Sequence, residues 1–491
     1  MKHSTLQLFN PSTLASAAVA ALCAATAGAA DISDVIVRQQ WPWSTDIKVE
    51  FKLTNVTGPV TVNVEAFDGA TPLDSSNLKS AITGDLYGID QGGVFSFMID
   101  PAKAFGNTRV AIPDFRVRLS VADEPNANDI IYKIVDLDPP YASVDVRRKD
   151  FYNGKYGKFV TSYQDIDSTF STSLDDVLIW LDVTNDVYKT DKMVFRRIPA
   201  AGKSYMMLTN NASVNGGAGV EVSFTKDFYI GVYEVTQTQL NKFYRWWGND
   251  RPYPSYPPAP YAGHCGATWD AAKCNSFETN ETYRAMRPAS NIGLHSNYGV
   301  IRNRSYTTLA NHAVGDASFC YNMQDKTGLL VDLPTEAMWE YACRAGTTSA
   351  LYTGQAYSAA NLAKISRGYV GGTDRNAGLS KNTAIVGSYK PNAFGLYDML
   401  GNVQEWCLDI FCSAANLQGG TDPLYDAVDS NNHVLRGAGN IGNGTTQLNA
   451  NTTHLCHFRF SYQANYEANG TTKACGIRLC IYLDNNDDGT K

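Results

Sequence analysis

Two acidic side chains, Asp398 and Glu405, bracket a short turn that contains Gly401 and Asn402. Carboxylate oxygens and inward-facing backbone carbonyls are the hard oxygen ligands that calcium prefers in proteins. The spacing therefore predicts a calcium site at this turn. The alternative from the residues alone is a metal-free turn whose carboxylates accept hydrogen bonds from backbone amides.

A second group of reactive residues lies nearer the C-terminal end, in the string His454-Leu-Cys456-His457. A cysteine thiolate is both a nucleophile and a ligand for soft metals. The histidine spacing is too tight for a usual tetrahedral zinc site and lacks a fourth ligand. The sequence also contains no phosphate-binding glycine loop and no HExxH zinc motif, which disfavours P-loop nucleotide-binding enzymes and zinc metalloproteases.

The N-terminal residues 1–30 are typical of a signal peptide. A weakly basic start leads into an apolar, alanine-rich run, and Ala27-Gly28-Ala29 fits the small-residue rule for cleavage. The alternative is a membrane anchor, and no later stretch approaches the ~20 apolar residues that a membrane span needs. We therefore expect an exported protein, in the periplasm, at the cell surface or secreted, without a further transmembrane segment.

Export permits disulfides. Of the ten cysteines, Cys23 leaves with the signal peptide, and an odd remainder means that at least one thiol is free or pairs with another molecule. Cys265 and Cys274 lie close enough in sequence to close one loop. Cys343 falls in a predicted helix and is expected to be a buried thiol.

The net charge of the chain is -7, and no basic stripe is visible in the sequence. Both observations argue against nucleic acid as a partner.

The elements that must position these residues change in character along the chain. Residues 31–140 form short alternating runs, as in Ile47, Val49, Phe51 and Leu53, separated by turn residues. This pattern predicts an all-β sandwich. Residues 141–190 are polar and Asp-rich, which indicates a linker with a strand or two.

The C-terminal part predicts an α+β domain. Thr236 offers an N-cap to one helix, and Thr335 caps a second helix that starts at Glu336 and ends near Gly346. Short strands and long Gly- and Asn-rich loops fill the rest, so the chain as a whole is predicted to be multidomain.

Ordered motifs in this part resemble the formylglycine-generating enzyme family, also called sulfatase-modifying factors, over residues 191–483. The motifs are Met193-Val-Phe-Arg-Arg-Ile-Pro-Ala, Asp227-Phe-Tyr-Ile-Gly-Val-Tyr-Glu-Val-Thr-Gln, Leu333-Pro-Thr-Glu-Ala-Met-Trp-Glu-Tyr-Ala, Asn392-Ala-Phe-Gly-Leu-Tyr-Asp-Met-Leu-Gly-Asn-Val-Gln-Glu-Trp, Val434-Leu-Arg-Gly and Gly476-Ile-Arg-Leu. The resemblance implies a variant of the C-type-lectin-like fold.

The resemblance also implies ligands. Asp398 and Glu405 would bind calcium through their side chains, and Gly401 and Val403 through backbone oxygens. A second family calcium site would start at Asn361 and Leu362, although its later ligands do not align here.

Family catalysis implies a copper(I) ion held by two nearby cysteines, which activates oxygen to oxidise a substrate cysteine to formylglycine. Only Cys456 lies near the matching positions. If it takes the first slot, the second falls near Ser461, and if it takes the second slot, the first is absent, so one sulfur is missing either way. Cys475 and Cys480 leave three alternatives open: a disulfide with Cys456 or another partner, inert buried thiols, or a rearranged copper pair.

We therefore expect an exported member that binds an extracellular glycan or protein and has lost catalysis, with Cys456 as its catalytic candidate if activity survives. Asn-, Thr- and Gly-rich loops between Asn440 and Thr453 are typical of such binding surfaces. The alternative is a formylglycine-generating oxidase, copper-dependent, that acts on a sulfatase. A purely structural cell-surface protein is a third possibility.

Overall fold

The structure of the chain is a computed structural model. It describes residues 30–40, 43–74, 77–78, 81–106, 112–152, 157–160, 178–181, 185–212, 217–243, 286–289, 294–296, 299–302, 312, 314, 318–367, 369–370, 373–374, 383–413, 416–417, 419–426, 432–439, 455–463 and 475–483. The chain divides into two compact units, residues 1–130 with 147–157, and residues 131–146 with 158–491.

The first unit contains two antiparallel sheets. Its elements are β1 (Asp31–Gln39), β2 (Ile47–Thr54), β3 (Val60–Asp68), β4 (Thr71–Pro72), β5 (Ile82–Gly84), β6 (Gly93–Ile99), α1 (Pro101–Phe105), β7 (Phe115–Asp123) and α2 (Arg148–Tyr152). The sheets have strand orders β1-β2-β6-β5 and β4-β3-β7, and apolar residues from both sheets form one hydrophobic core. Ile47, Val49, Phe51 and Leu53 of β2 are buried in it, which confirms the predicted alternation.

The second unit is β-rich with few helices. Its elements are β8 (Ile130–Asp136), β9 (Ser143–Arg147), β10 (Gly157–Val160), β11 (Leu178–Leu181), α3 (Val187–Thr190), β12 (Lys192–Ile198), β13 (Ser204–Met207), β14 (Val220–Ser223), β15 (Phe228–Gly231), α4 (Gln237–Phe243), β16 (His295–Ser296), β17 (Gly299–Val300), α5 (Phe319–Thr327), β18 (Val331–Asp332), α6 (Glu336–Arg344), α7 (Ala359–Ala363), β19 (Tyr369–Val370), β20 (Thr373–Asp374), β21 (Gln404–Ile410), β22 (Gly420–Thr421), β23 (Asn432–Arg436), β24 (Phe460–Gln463), β25 (Cys475–Gly476) and β26 (Cys480–Tyr482).

The unit boundary differs from the one that composition suggests. β8 pairs antiparallel with β12, from Lys192 opposite Asp136 to Arg196 opposite Tyr132. It thereby joins a six-stranded sheet of order β18-β26-β15-β12-β8-β9. Residues 131–146 therefore belong to the second unit rather than to the end of the first or to a linker, because their backbone hydrogen bonds are made there.

Two sheets and helix α6 position the candidate site. A four-stranded sheet of order β24-β23-β21-β25 lies beside the core that surrounds α6, whose Trp339 is fully buried. Thr335 caps α6 as predicted, since its side chain accepts a hydrogen bond from the Met338 amide. The helix ends at Ala345 in a left-handed conformation, one residue before the predicted glycine.

Some sequence predictions lie outside the described residues. These are the signal peptide as far as residue 29, the loop with Cys265 and Cys274, and the segment from Asn440 to His454. In the part of the chain that the structure describes, no helix combines the length and apolarity needed to span a bilayer.

Candidate functional site

The turn before β21 has a backbone that few residues can adopt. Asp398 and Asn402 are left-handed, with φ of 58° and 62°. Gly401 has φ of 97°, and a Cβ atom there would lie 2.2 Å from Ser366 Oγ and 2.6 Å from the Arg367 carbonyl oxygen. Only glycine fits this approach, so the turn is held tightly against the Ser366–Arg367 segment.

Glu405 is tied to two buried donors. Arg478 Nη2 donates to Glu405 Oε1 at 2.7 Å, and Arg478 Nε lies 3.0 Å from Oε2. Trp339 Nε1, from α6, donates to the same Oε2 at 2.6 Å. Arg478 also donates to the carbonyl oxygens of Gly231, Val232 and Tyr397. Both charges are therefore paired and hydrogen-bonded, as buried charges must be.

Two further carboxylates lie beside this ion pair. Glu234 accepts hydrogen bonds from Asn402 Nδ2 at 2.6 Å and from the Val403 amide at 3.0 Å. Burial, together with the nearby carboxylates of Asp398 and Glu405, raises the pKa of Glu234 well above its ordinary value. Burial also raises the pKa of Asp398 to about 6, although the hydrogen bond from the Gly387 amide acts to lower it.

Asp398 is the residue that best fits a cation. Its Oδ2 accepts from the Gly387 amide at 2.7 Å, whereas Oδ1 is buried with no hydrogen-bond partner among the described residues. A buried carboxylate oxygen without a donor needs a proton or a metal ion. Asp398 therefore has the oxygen that the predicted calcium site requires.

The other predicted side-chain ligands also have hydrogen-bond partners. Both Glu405 oxygens already accept from a guanidinium or an indole, and the side-chain amide of Asn361, on α7, donates to the Ala356 carbonyl. Within the described ranges, no three His, Cys, Asp or Glu side chains converge closely enough to hold a metal ion. Gly401 and Val403 lie on the turn with Asp398, and Glu405 follows them in β21.

A second buried network lies between α6, β23 and the segment after Leu455. Arg436 donates to Glu340 Oε2 at 2.5 Å, to Glu336 Oε1 at 3.1 Å and to the Cys456 carbonyl oxygen at 2.6 Å. Burial alone would raise the pKa of Glu340, but the guanidinium groups of Arg436 and Arg344 outweigh it and lower the pKa. This network fixes the backbone of Cys456 against helix α6.

Cys456 has a sulfur neighbour that the sequence did not indicate. Its Sγ lies 3.7 Å from Cys343 Sγ, near the C-terminal end of α6, and both residues are fully buried. Burial raises the pKa of the Cys343 thiol. Burial would also raise the pKa of Cys456, but the hydrogen bond from Cys343 and the charges of Arg344 and Arg436 hold it below its ordinary value.

The structure adds one sulfur neighbour to the cysteine predictions. Cys343 is buried, as expected, but it is not isolated, because the fold brings it to Cys456 across 113 residues of chain. Cys475, one of the partners considered for Cys456, donates to Gln404 Oε1 at 3.7 Å. Ser461, the second slot implied by the copper motif, is exposed on β24.

Sequence reasoning missed Glu234, Trp339 and Arg478 as site residues. Each stands in a quoted motif, and the sequence offered a signal for the two charged residues. Glu234 lies between a tyrosine and a valine, and Arg478 lies between an isoleucine and a leucine, so both charges are embedded in apolar strings. A charge in such a string is rarely buried unless it has a partner. The pairing itself depends on strands far apart in the chain.

Comparisons with known proteins identify a family for this chain. The sulfatase-modifying factor enzyme 1-like domain family matches residues 184–482. The formylglycine-generating enzyme of Bos taurus is 38% identical over 85 residues, which are 16% of this chain and 21% of that protein. The inactive C-alpha-formylglycine-generating enzyme 2 of Bos taurus is 32% identical over 107 residues, 22% of this chain and 31% of that protein.

The matched segments are thus short, and the chain spans less than a third of the length of these two relatives. Among solved structures, Treponema denticola variable protein 1 is similar at a TM-score of 0.39 and 21% identity, over 59% of this chain and 95% of that chain. The family match extends over more than half of the 491 residues. The residues of the buried network, from Glu234 to Arg478, all lie within this match. The chain belongs to the sulfatase-modifying factor enzyme 1-like domain family.

Proposed function

We propose that this chain is an exported, non-catalytic member of its family that binds a glycan or a protein outside the cytoplasm. One observation carries the proposal: the sulfur atoms of Cys456 and Cys343 face each other inside the core, and neither residue is exposed. An oxidase of this kind would need a thiolate pair that a substrate cysteine can approach.

The surroundings of the pair support this view. Cys343 and Cys456 belong to the same hydrophobic cluster as Trp339 and Leu396. The carbonyl oxygen of Cys456 accepts from Arg436, and its amide donates to the Ala350 carbonyl. With its backbone held on both sides, Cys456 cannot swing outward without breaking these bonds, so copper chemistry at an open groove is disfavoured.

The relatives make loss of catalysis a reasonable outcome for this fold. One of the similar bovine proteins is named an inactive formylglycine-generating enzyme. A rigid scaffold that has lost its chemistry can still present loops for recognition. We propose that the predicted Asn-, Thr- and Gly-rich loops between Asn440 and Thr453 form the binding surface.

The test is a binding screen with the full chain against arrays of glycans and surface proteins. We expect at least one ligand with saturable binding. Polar-to-alanine substitutions between Asn440 and Thr453 should weaken that binding, whereas Ser33→Ala on β1 of the first unit should leave it unchanged. A screen without any ligand would contradict the proposal.

The second candidate function is oxidation of a sulfatase cysteine to formylglycine. The lowered pKa of the Cys456 thiol and the 3.7 Å sulfur separation favour it, because copper(I) accepts two thiolates. Copper-loaded protein would be incubated with a Cys-x-Pro-x-Arg peptide in air, with Cys456→Ala as the control. If the mass of the peptide falls after incubation with the native protein and not after incubation with the control, the chain is an oxidase, and the proposal of a non-catalytic binding protein is wrong.

Export and the finer description of the fold are parts of the same proposal. We expect the mature protein to begin near Asp31, which N-terminal sequencing of protein secreted by a bacterial host would check. The two sheets of the first unit would form a β-sandwich spacer, and the second unit a C-type-lectin-like domain. Calcium would be structural, held by Asp398 with the backbone oxygens of Gly401 and Val403.

A further inference from the structure

We propose that the turn between β1 and β2 of the first unit binds an uncharged glycan, with Trp43 as the platform on which a sugar ring stacks. The glycan is a chain of β-1,4-linked glucose or N-acetylglucosamine. The site is separate from the 440–453 loop of the second unit, so neither proposal depends on the other.

The exposure of Trp43 is the first observation. Its side chain is 87% exposed, the largest fraction for a large apolar residue in the part of the chain that the structure describes. Exposed apolar side chains that are scattered singly need no explanation. Three of the five in the described residues, Ile36, Trp43 and Val94, instead belong to the β1-β2-β6-β5 sheet or to its first turn. This concentration is typical of an interaction surface.

The backbone of the turn is already fixed. The Gln40 carbonyl oxygen accepts from the amides of Trp43 at 3.0 Å and Ser44 at 3.1 Å, and the Gln40 amide donates to the Asp46 carbonyl at 3.0 Å. Ser44 Oγ accepts from the Asp46 amide at 3.0 Å. Because the turn is ordered before any ligand arrives, binding at Trp43 does not carry the entropy cost of ordering a loop.

Polar groups lie on the outer face of the sheet next to this turn. Ile47 and Val49 of β2 are buried, so Lys48 and Glu50 point outwards, and Arg38 of β1 is paired with Lys48. Arg38 Nη1 donates to Glu50 Oε2 at 2.7 Å, and Lys48 Nζ donates to Oε1 at 3.2 Å. These ion pairs hold the side chains in position. A guanidinium has five N–H donors, and the Arg38 side chain is 58% exposed, so it can also donate to sugar hydroxyls.

The chemistry of the surface favours an uncharged glycan. Rings of β-1,4-linked glucose and N-acetylglucosamine carry their ring substituents equatorially, so C–H groups line both faces of each ring. The face of an indole is electronegative and packs well against such C–H groups. An anionic lipid surface is a poorer partner, because the chain has a net charge of -7 and would be repelled. An uncharged polysaccharide meets no such repulsion.

The experiment measures depletion of the full chain from solution by insoluble cellulose and by chitin. We expect saturable binding to at least one of them. Trp43→Ala should weaken this binding at least about tenfold, and Trp43→Tyr, which keeps an aromatic face, by less than about threefold. The matched control is Met206→Ala, because Met206 is also an exposed apolar side chain but lies on β13 of the second unit. This variant should bind like the native protein.

Fluorescence gives a second readout. Soluble cellohexaose or chitohexaose should shift tryptophan emission to shorter wavelength in the native protein and not in Trp43→Ala. The variant should keep the native Tm, since an exposed side chain contributes little to stability.

Three outcomes would overturn the proposal. They are no binding of the native protein to either polysaccharide, equal binding by Trp43→Ala, and Trp43-dependent binding to vesicles of phosphatidylcholine and phosphatidylglycerol in place of the glycans. Substitutions between Asn440 and Thr453 should leave cellulose and chitin binding unchanged. If those substitutions abolish it and Trp43→Ala does not, the glycan site lies in the second unit.

Discussion

Arg478 and Glu405 form an ion pair that is closed to solvent on both sides, with Nη2 of the arginine 2.7 Å from Oε1 of the glutamate and neither side chain exposed. The pair joins β21 to the segment before β26, and Arg478 also donates hydrogen bonds to three backbone carbonyl oxygens. A buried pair with every donor used fixes the position of a turn more than it adds net stability. The turn from Asp398 to Glu405 is thus held from within.

Breaking that pair is expected to be costly. Glu405→Gln removes the charge that pairs directly with Arg478 and leaves the buried guanidinium without its hydrogen-bonded counter-ion. We expect the free energy of unfolding to fall by about 3–5 kcal/mol, measured by chemical denaturation.

The control for this change is an exposed ion pair of the same unit. Lys326 and Asp325 lie 3.0 Å apart, with side chains 46% and 47% exposed, and Asp325→Asn should cost less than about 1 kcal/mol. Equal losses in the two variants would show that the Glu405–Arg478 pair behaves as a surface pair.

Gly401→Ala tests the packing of the turn. The new methyl group would meet Ser366 Oγ at 2.2 Å and the Arg367 carbonyl oxygen at 2.6 Å, at a φ of 97°. We expect a loss above about 3 kcal/mol, since backbone atoms cannot move aside. Gly328→Ala is the matched control, because Gly328 is also left-handed but has nothing within 4 Å, and about 1–2 kcal/mol is expected. Thermal unfolding of both variants separates steric clash from backbone preference alone.

Removal of calcium tests the role of Asp398. If a cation satisfies Asp398 Oδ1, a chelator should lower Tm, because a ligand bound to the native state adds stability by mass action. The Asp398→Ala variant should melt at the same temperature with and without chelator. A native protein whose Tm is identical in calcium and in chelator would contradict calcium binding.

His457 gives a prediction for the pH dependence of stability. Burial, with smaller effects from nearby charges, lowers the pKa of His457 to about 4 from 6.5, and its Nδ1 has no partner among the described residues. The native state therefore binds fewer protons than the unfolded state between these pH values. Stability is fully present above about pH 6.5 and falls, by at most about 3 kcal/mol, as pH drops towards 4.

The check is a comparison of denaturation curves at pH 7.5 and pH 4.5 for the native protein and for His457→Asn. The variant should lose less stability between these pH values than the native protein does. Identical losses in both proteins would assign the acid sensitivity to other groups.

Local patterns predicted the local structure well. The alternation in β2 gave the buried face from Ile47 to Leu53, and Thr335 marked the start of α6. These features depend on neighbours a few residues apart, which periodicity and capping rules describe. The turn at Asp398 was also found, because carboxylates around Gly401 stand out in an apolar stretch.

Contacts between distant segments could not be predicted in this way. Cys343 and Cys456 meet only because α6 packs against β23 and the chain that follows it, and no spacing in the sequence encodes that register. Glu405 was expected to bind a metal, and the structure pairs it with Arg478, 73 residues further along the chain. An ion pair of this length depends on the order of strands in two sheets, which the residue pattern alone leaves open.

The pairing of β8 with β12 has a practical consequence for anyone who wants to work with the C-terminal unit by itself. The family match begins at residue 184, so a gene fragment cut there would lack β8 and β9. One side of β12 would then present bare amide and carbonyl groups to solvent, and such edges recruit other chains into aggregates. An expression fragment therefore has to begin upstream of Ile130, and homology alone is a poor guide to where this protein can be cut.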